Sequence, residues 1–167
     1  MVFEFTAAAL MFFGIMFFII TYMNQSVRSF SSDAYREVLQ SKAFQISDML
    51  IKSQGVWTGD PGVPIVVGMA AEWPMLNATK MEWMRVFCTK PDGSGYETLK
   101  RVLGLKEKLY DFDTGEKRNF NITVTDVRLG SILLNCGKDP AGMRRTYIRR
   151  VAVTENANLA TVDVSVW

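Results

Sequence analysis

The feature that most constrains this chain is an apolar run, residues 5–22, which contains no charged residue, no proline and no amide side chain. A helix needs about twenty predominantly apolar residues to cross a bilayer, and the neighbouring Val2, Phe3 and Met23 extend the run to that length. A cleavable secretory signal needs a basic segment before the run and a small-residue cleavage site after it. No Lys or Arg precedes Arg28, so the run predicts a retained membrane helix.

The helix is expected to continue well beyond the apolar run, because neither Gly nor Pro occurs between Gly14 and Gly55. Its second half is predicted to be amphipathic, with apolar residues repeating at spacings of three and four. That stripe consists of Tyr35, Leu39, Ala43, Ile46 and Leu50. Residues 1–54 are therefore predicted to form a membrane or filament-core helix, and residues 55–167 a globular head.

Two residues of the apolar half point to assembly with other helices. Glu4 is a carboxylate at the start of an apolar helix, which is costly in lipid unless it is paired. The helix dipole favours negative charge at that end, and the N-terminal ammonium of a neighbouring copy would be a suitable partner. Gly14, together with the alanines of residues 7–9, permits close approach of a second helix.

The head is predicted to begin with turns and two short helices. Gly55 ends the long helix, and the segment TGDPGVP has strong turn chemistry. A short strand is expected at residues 65–67. Asn77 is predicted to cap a helix over residues 78–87. A capping box, Ser-Gly-Tyr-Glu at residues 94–97, predicts a second helix that ends at Gly104.

From residue 119 onward the apolar period changes from 3.6 to 2, which is typical of β-strands. The predicted strands cover residues 120–124, 132–134, 147–153 and 162–166. Consecutive strands usually pair, so a four-stranded antiparallel meander is the simplest arrangement. The predicted fold class is α+β: a long N-terminal helix, hydrophobic and then amphipathic, with a β-rich antiparallel head that carries two short helices.

Cys88 and Cys136 are the only two cysteines. A disulfide between them would stabilise the head by roughly 4 kcal/mol in an oxidising compartment. As free thiols they would be ordinary buried residues. The membrane helix suggests that the head lies outside the cytoplasm, which favours the disulfide.

The composition argues against catalysis. Histidine is absent, and no nucleophile motif, phosphate-binding glycine loop or Cys/His pair occurs. We therefore predict that the protein is not an enzyme and has neither a cofactor nor a metal. Residues 111–116 alternate oxygen side chains but lack the distant bidentate Glu of a calcium loop, so an ordinary turn explains them.

A dense basic cluster consists of Arg144, Arg145, Arg149 and Arg150. Nucleic-acid binding would require aromatic residues on the same surface, and only Tyr147 is available. With a net charge of +2, no nucleic-acid partner is predicted. A solvated strand face, or contacts with acidic patches on neighbouring subunits, is the preferred interpretation.

Three N-x-S/T sequons begin at Asn24, Asn77 and Asn121. Asn24 lies too close to the membrane or filament core to be an attractive acceptor. Asn77 and Asn121 are candidate glycosylation sites if the head is extracytoplasmic. For Asn77, carrying a glycan and capping a helix are partly exclusive roles.

The order of these features resembles the archaeal type IV pilin and archaellin superfamily. An apolar helix with an early Glu continues into AFQISDMLIKSQGVW, then PGVPIVVGMAAEWPMLNATKMEWM, then YETLKRVLGL before FNITV. The resemblance covers most of the chain. It implies a structural subunit that waits in the membrane, polymerises with its own copies through the N-terminal helix, and is handled by a prepilin peptidase and pilus assembly machinery. The expected location is an extracellular surface filament concerned with adhesion or motility.

Two departures from the family pattern bear on processing. The acidic residue of that superfamily is usually fifth in the mature chain, whereas here it is Glu4, and no basic, glycine-ended leader precedes it. Either the chain is already mature, or Met1 is an initiator and no processing occurs. The alternative hypothesis is a single-pass membrane-anchored accessory or binding domain that does not form the bulk filament. A minor or initiating pilin would share every feature.

Overall fold

The protein is seen in a computed structural model that describes residues 2–59, 62–90, 93–105, 118–139, 142–143 and 145–167, without the side chains of residues 2, 4 and 28–32. Within these residues the chain forms three α-helices and eight β-strands, and the predicted α+β class is confirmed. The helices are α1 (Val2–Lys52), α2 (Ala78–Cys88) and α3 (Ser94–Val102). The strands are β1 (Val56–Thr58), β2 (Val63–Val66), β3 (Ala70–Glu72), β4 (Met75–Leu76), β5 (Phe120–Asp126), β6 (Ile132–Gly137), β7 (Thr146–Thr154) and β8 (Leu159–Val166).

The chain divides into two compact units, Met1–Glu37 and Val38–Trp167. The first unit contains the N-terminal part of α1, and the second, the head unit, contains the remainder of α1 and every strand. The predicted boundary after residue 54 follows the end of α1, whereas the head unit also includes the last turns of that helix. Those turns belong to the head because their apolar side chains pack within it.

Four of the five residues of the predicted amphipathic stripe form one side of the head's core, and the fifth, Tyr35, belongs to the first unit. Leu39, Ala43, Ile46 and Leu50 are each at most 4% exposed. These positions recur at spacings of three and four, so they lie on one face of α1. The opposite side of the core consists of the inward-facing residues of β5 and β8, among them Ile122, Val124, Val162 and Val164.

Six strands form one sheet in the order β3-β4-β7-β8-β5-β6, in which only the β4–β7 pair is parallel. The predicted meander is wrong, because β8 lies between β5 and β7 instead of at an edge. Strands β5 and β8 carry the most regular inward-facing apolar sets, and pairing them places both sets at the centre of the core. The order of the strands depends on which residues the whole fold buries, and the alternation within a single strand does not reveal this.

Strands β1 and β2 form a separate two-stranded sheet. The expected strand at residues 65–67 corresponds to β2, which begins two residues earlier. Strands β3 and β4 were not predicted, because they have three and two residues and the Trp73–Pro74 bond interrupts them. Pairing of β4 with β7, not local sequence preference, makes this segment extended.

The two short helices begin in different ways. Asn77 caps α2 as predicted, because its Oδ1 accepts a hydrogen bond from the Lys80 backbone N–H at 2.9 Å. The predicted capping box of α3 is wrong, since the N-cap is Gly93 and Ser94 is already the first helical residue. Gly93 has a φ of 68°, a left-handed conformation that glycine adopts at little cost. Gly104, also left-handed, follows the end of α3 as expected.

Candidate functional site

The apolar part of α1 is the first candidate site. The stretch Phe5–Val27 is long and apolar enough to cross a membrane, and none of it is buried within the described structure. A signal sequence would pass the same test of length and composition. The stretch therefore identifies the N-terminal segment as a membrane anchor or a signal sequence.

Two threonine hydroxyls inside this stretch donate hydrogen bonds within the helix. The Thr21 hydroxyl donates to the Phe17 carbonyl at 2.8 Å, and the Thr6 hydroxyl donates to the Phe3 carbonyl at 2.9 Å. In hydrocarbon an unsatisfied hydroxyl would cost several kcal/mol, so this internal bonding makes the helix compatible with lipid.

Gly14 lies in open space. Among the described residues, no atom outside its own helix lies within 4 Å of the position that a Cβ at Gly14 would occupy. Intrachain packing therefore does not require a glycine here, although glycine in a helix interior costs about 1 kcal/mol relative to alanine. Glu4 lies in the helical backbone of α1, but its side chain is outside the described residues, so its pairing stays a prediction.

The disulfide between Cys88 and Cys136 is present, as predicted. It joins the last residue of α2 to β6, with 5.4 Å between the two Cα atoms, inside the usual range for a disulfide. The Arg85 guanidinium on the same helix donates to the Leu133 carbonyl of β6 and pairs with Glu82 at 2.8 Å. Helix α2 thus covers the edge strand of the sheet, which limits pairing with another chain there.

The second candidate site is the outer face of the sheet, opposite the core. An open depression of about 440 Å³ lies over β5 and β6. It is lined by five residues with polar side chains and one glycine: Asn121, Thr123, Asn135, Asp139, Arg145 and Gly137. Asn121 and Thr123 face this depression because the alternate residues of β5, including Ile122, are buried in the core.

The Asn121 side chain is hydrogen-bonded to two neighbouring side chains of the depression. Its Nδ2 donates to Oδ1 of Asn135 at 3.1 Å, and its Oδ1 accepts from the Thr123 hydroxyl at 2.9 Å. The sequon at Asn121 is thus on the outer sheet face, at the floor of the depression. The Asn77 sequon differs, because the Asn77 side chain is engaged as the cap of α2. Asn24 lies in the apolar part of α1.

The described arginines of the basic cluster lie on two faces of β7. Arg149 points outward and forms a bidentate pair with Asp163, at 2.8 and 3.0 Å. This contact raises the pKa of Arg149 above its ordinary value. Arg150 points inward, where Nη2 lies 3.2 Å from Oδ1 of Asp48. Arg145 lines the depression, and Arg144 is outside the described residues. The described arginines of the cluster therefore do not form one basic patch.

Tyr147 lies beside Arg149 on the outer face. Its ring centroid is 5.5 Å from the guanidinium carbon of Arg149. Desolvation, followed by the contact with Asp163, raises the pKa of the Tyr147 phenol. The phenol therefore stays protonated at neutral pH, and its ring is partly exposed to solvent.

Tyr96 is a titratable group that is buried in the core. Its hydroxyl donates to Oδ1 of Asn119 at 3.1 Å and accepts from the Phe120 N–H at 3.3 Å. Burial raises the pKa of Tyr96 to about 12; the bond from Phe120 lowers it and the charge of Glu97 raises it. The ammonium of Lys138 lies 5.5 Å from the ring centroid. A phenol that stays protonated to such a pH serves packing and hydrogen bonding here.

Metal ligands are not grouped in the described part of the chain, where no three His, Cys, Asp or Glu residues lie close enough to hold an ion. Residues 111–116, interpreted above as a turn, lie outside that part.

No family model matches the chain, and neither does any curated protein or any solved structure.

The sequence does not predict the depression, although two of its residues carry other signals. Asn121 begins a sequon, and Arg145 belongs to the basic cluster. What was missing is the pairing of β5 with β6, which brings Asn135 opposite Thr123. The alternation of polar residues along β5 was the available signal, but it does not identify the neighbouring strand.

Proposed function

We propose that this chain is a pilin-like structural subunit that is inserted in a membrane and then polymerises through α1 into an extracellular surface filament. The observation that carries the proposal is the continuity of α1. The same helix, Val2–Lys52, begins with an uncovered apolar stretch and ends with residues buried in the head. A simple anchor does not need its helix to become part of the head's core.

The apolar stretch supports assembly through its unused surface. Large side chains are exposed along it, including Phe5 (76%), Phe13 (68%) and Phe17 (74%). In lipid these side chains are solvated by acyl chains, so association of helices relies on close packing. Gly14 supplies a point of close approach, and Glu4 would pair with the N-terminal ammonium of a neighbouring copy.

The head supports an extracytoplasmic location. Its disulfide joins α2 to β6, and disulfides persist in oxidising compartments. The sequons at Asn77 and Asn121 lie in the same unit and would be candidate glycosylation sites there. A structural role is proposed instead of a catalytic one, because Tyr96, Arg149 and Arg150 serve packing and ion pairing. Processing by a prepilin peptidase and assembly by pilus machinery belong to this proposal.

The second candidate function is a single-pass anchored accessory or binding domain, which includes a minor or initiating subunit. The polar depression on the outer sheet face favours this function, because a filament wall does not require it. The two candidates differ in where the chain is found. A filament subunit is released when surface appendages are sheared from cells, and an anchored domain stays with the membrane.

The experiment compares four variants in the host of origin. Glu4→Gln removes the charge and Gly14→Leu fills the point of close approach; Glu37→Gln and Ile15→Leu are the matched controls on the same helix. Sheared and membrane fractions are quantified by mass spectrometry, and the N-terminal peptide is identified. We expect the wild type and both controls in sheared filaments, with each test variant retained in the membrane and its sheared fraction reduced about tenfold or more, equivalent to roughly 1.4 kcal/mol.

Two results would contradict the proposal. One is a wild-type chain that is absent from sheared filaments and is retained in membranes with Met1 intact. The other is a normal yield of filaments from both test variants, which would remove the assigned roles of Glu4 and Gly14.

A further inference from the structure

We propose that the depression on the outer sheet face binds a neutral saccharide. The inference goes beyond polymerisation and does not depend on it, because the depression lies wholly within the head unit. Its volume of about 440 Å³ falls in the range of small-molecule sites, roughly 300–1,000 Å³. Its lining offers the hydrogen-bonding groups that a polyhydroxylated ring requires, and they converge from β5, β6, the segment after β6 and the residue just before β7.

The amide groups provide donors and acceptors in a fixed arrangement. An asparagine carries two N–H donors and a carbonyl oxygen with two lone pairs. Asn121 uses one N–H toward Asn135 and one lone pair toward Thr123. The second N–H of the Asn121 side chain and the side-chain Nδ2 of Asn135 make no hydrogen bond with any described residue. Because these hydrogen bonds hold both side-chain amides in place, the remaining donors are pre-oriented, which lowers the entropic cost of binding.

The charges of the lining balance and favour a neutral ligand. Arg145 contributes one positive charge and Asp139 one negative charge. A polyanion such as a nucleic acid or a sulfated glycan would require several cations on one surface. Arg149, the nearest described arginine along β7, is already paired with Asp163 on both of its contacting nitrogens. A neutral sugar instead requires only hydrogen-bonding groups, and the Arg145 guanidinium can donate to its hydroxyls.

An exposed aromatic ring borders the depression. Tyr147 is 45% exposed and lies two residues from Arg145 along the chain. In the strand register, Ser165 pairs with both Asn121 and Tyr147, so Tyr147 and Asn121 are two strands apart, about 10 Å. That distance allows one sugar residue to bind over the amides while the C–H face of the next packs on the Tyr147 ring. A flat ring beside amides suits the two faces of a pyranose.

The test uses the full chain in phosphatidylcholine nanodiscs, which avoids detergents with sugar headgroups. The protein is expressed in a host without N-glycosylation, because a glycan on Asn121 would occupy the same depression. The neutral probes are maltotriose, mannotriose and N,N′,N″-triacetylchitotriose, and the anionic comparison is sialyllactose. Binding is followed by the NMR signals of the Asn121 and Asn135 side-chain amides at up to about 10 mM probe, which would largely fill a site of millimolar Kd.

Two variants test the lining, and one serves as a control. Arg145→Ala is expected to weaken binding about tenfold or more, and Asn135→Ala about fivefold, as the loss of a charged and a neutral hydrogen bond predicts. Thr125→Ala alters the same face of β5 outside the depression and should change binding less than about twofold. A circular-dichroism melt of each variant establishes that it is folded.

The supporting outcome is saturable binding of at least one neutral trisaccharide, with shifts of both amide signals and the stated order of variants. Three outcomes overturn the proposal. These are no shift with any neutral probe, binding of sialyllactose alone, and neutral binding that Arg145→Ala and Asn135→Ala leave unchanged in folded protein.

Discussion

Nη2 of Arg150 lies 3.2 Å from Oδ1 of Asp48, so an ion pair joins strand β7 to the C-terminal part of α1. The guanidinium carbon also lies 4.3 Å from the centroid of the Phe44 ring, and Nε lies 3.4 Å from the Ser47 hydroxyl. Asp48 has a second partner, Lys52, at 2.7 Å. One arginine of the basic cluster therefore connects the long helix to the sheet.

We expect Arg150→Ala to lower the free energy of unfolding of the head by about 1–2 kcal/mol, because it removes a half-buried ion pair and a cation–π contact. Arg150→Lys should be intermediate, since an ammonium keeps the charge but loses the planar stacking. The measurement is denaturant unfolding of the full chain in nanodiscs. Arg128→Ala, in the exposed turn after β5, is the control and should stay within about 0.5 kcal/mol. Equal losses of unfolding free energy in Arg150→Ala and Arg128→Ala would argue against a stabilising contact between Arg150 and α1.

Removal of the disulfide is expected to cost the head about 4 kcal/mol, because the bond closes a loop between residues 48 apart in sequence. The double variant Cys88→Ser/Cys136→Ser should match the reduced wild type, and reductant should not change its unfolding further. Alkylation without reductant provides the direct check. If both thiols of the native protein react with the reagent, the disulfide does not form in the cell.

Substitutions at Asn77 distinguish its role as a helix cap from its role as a glycosylation site. Asn77→Ala should destabilise the head by about 1 kcal/mol, because the backbone N–H of Lys80 loses its acceptor. Asn77→Asp keeps the acceptor oxygen and removes the glycan acceptor, so it should melt like the wild type. Thermal melts and intact masses in the host of origin are measured together. A loss of stability in Asn77→Asp as large as that in Asn77→Ala would mean that the side chain does not act as a cap.

Tyr96 predicts a loss of stability at high pH. Its pKa is raised to about 12 in the folded protein, against about 10 in an unfolded chain. Between these values the folded state binds more protons, so the contribution is complete below about pH 10 and falls as pH rises toward 12, by on the order of 2 kcal/mol. The check is the pH dependence of unfolding in the wild type and in Tyr96→Phe, whose slope should be smaller. Parallel slopes would exclude Tyr96 as the cause.

The local elements of this protein could be predicted because their signals are short in range. The stripe of Leu39, Ala43, Ile46 and Leu50 identifies the buried face of α1 from its spacing alone. Asn77 caps α2 because its acceptor reaches a backbone N–H only three residues ahead. The alternation along β5 similarly determines which residues face the core and which face outward. In each case the interacting groups are neighbours in the chain.

The position of β8, the strands β3 and β4 and the polar depression depend on tertiary structure. β8 pairs with β5 because both bury regular apolar sets, and that preference involves residues about forty apart in the register. Asn121 and Asn135 come together only through the pairing of β5 with β6. The sequence by itself determined the apolar helix, its amphipathic continuation and the α+β class, since periodicity and hydrophobicity act locally. Only the tertiary structure decided which polar side chains share a surface, because strand order is set by how the whole core is buried.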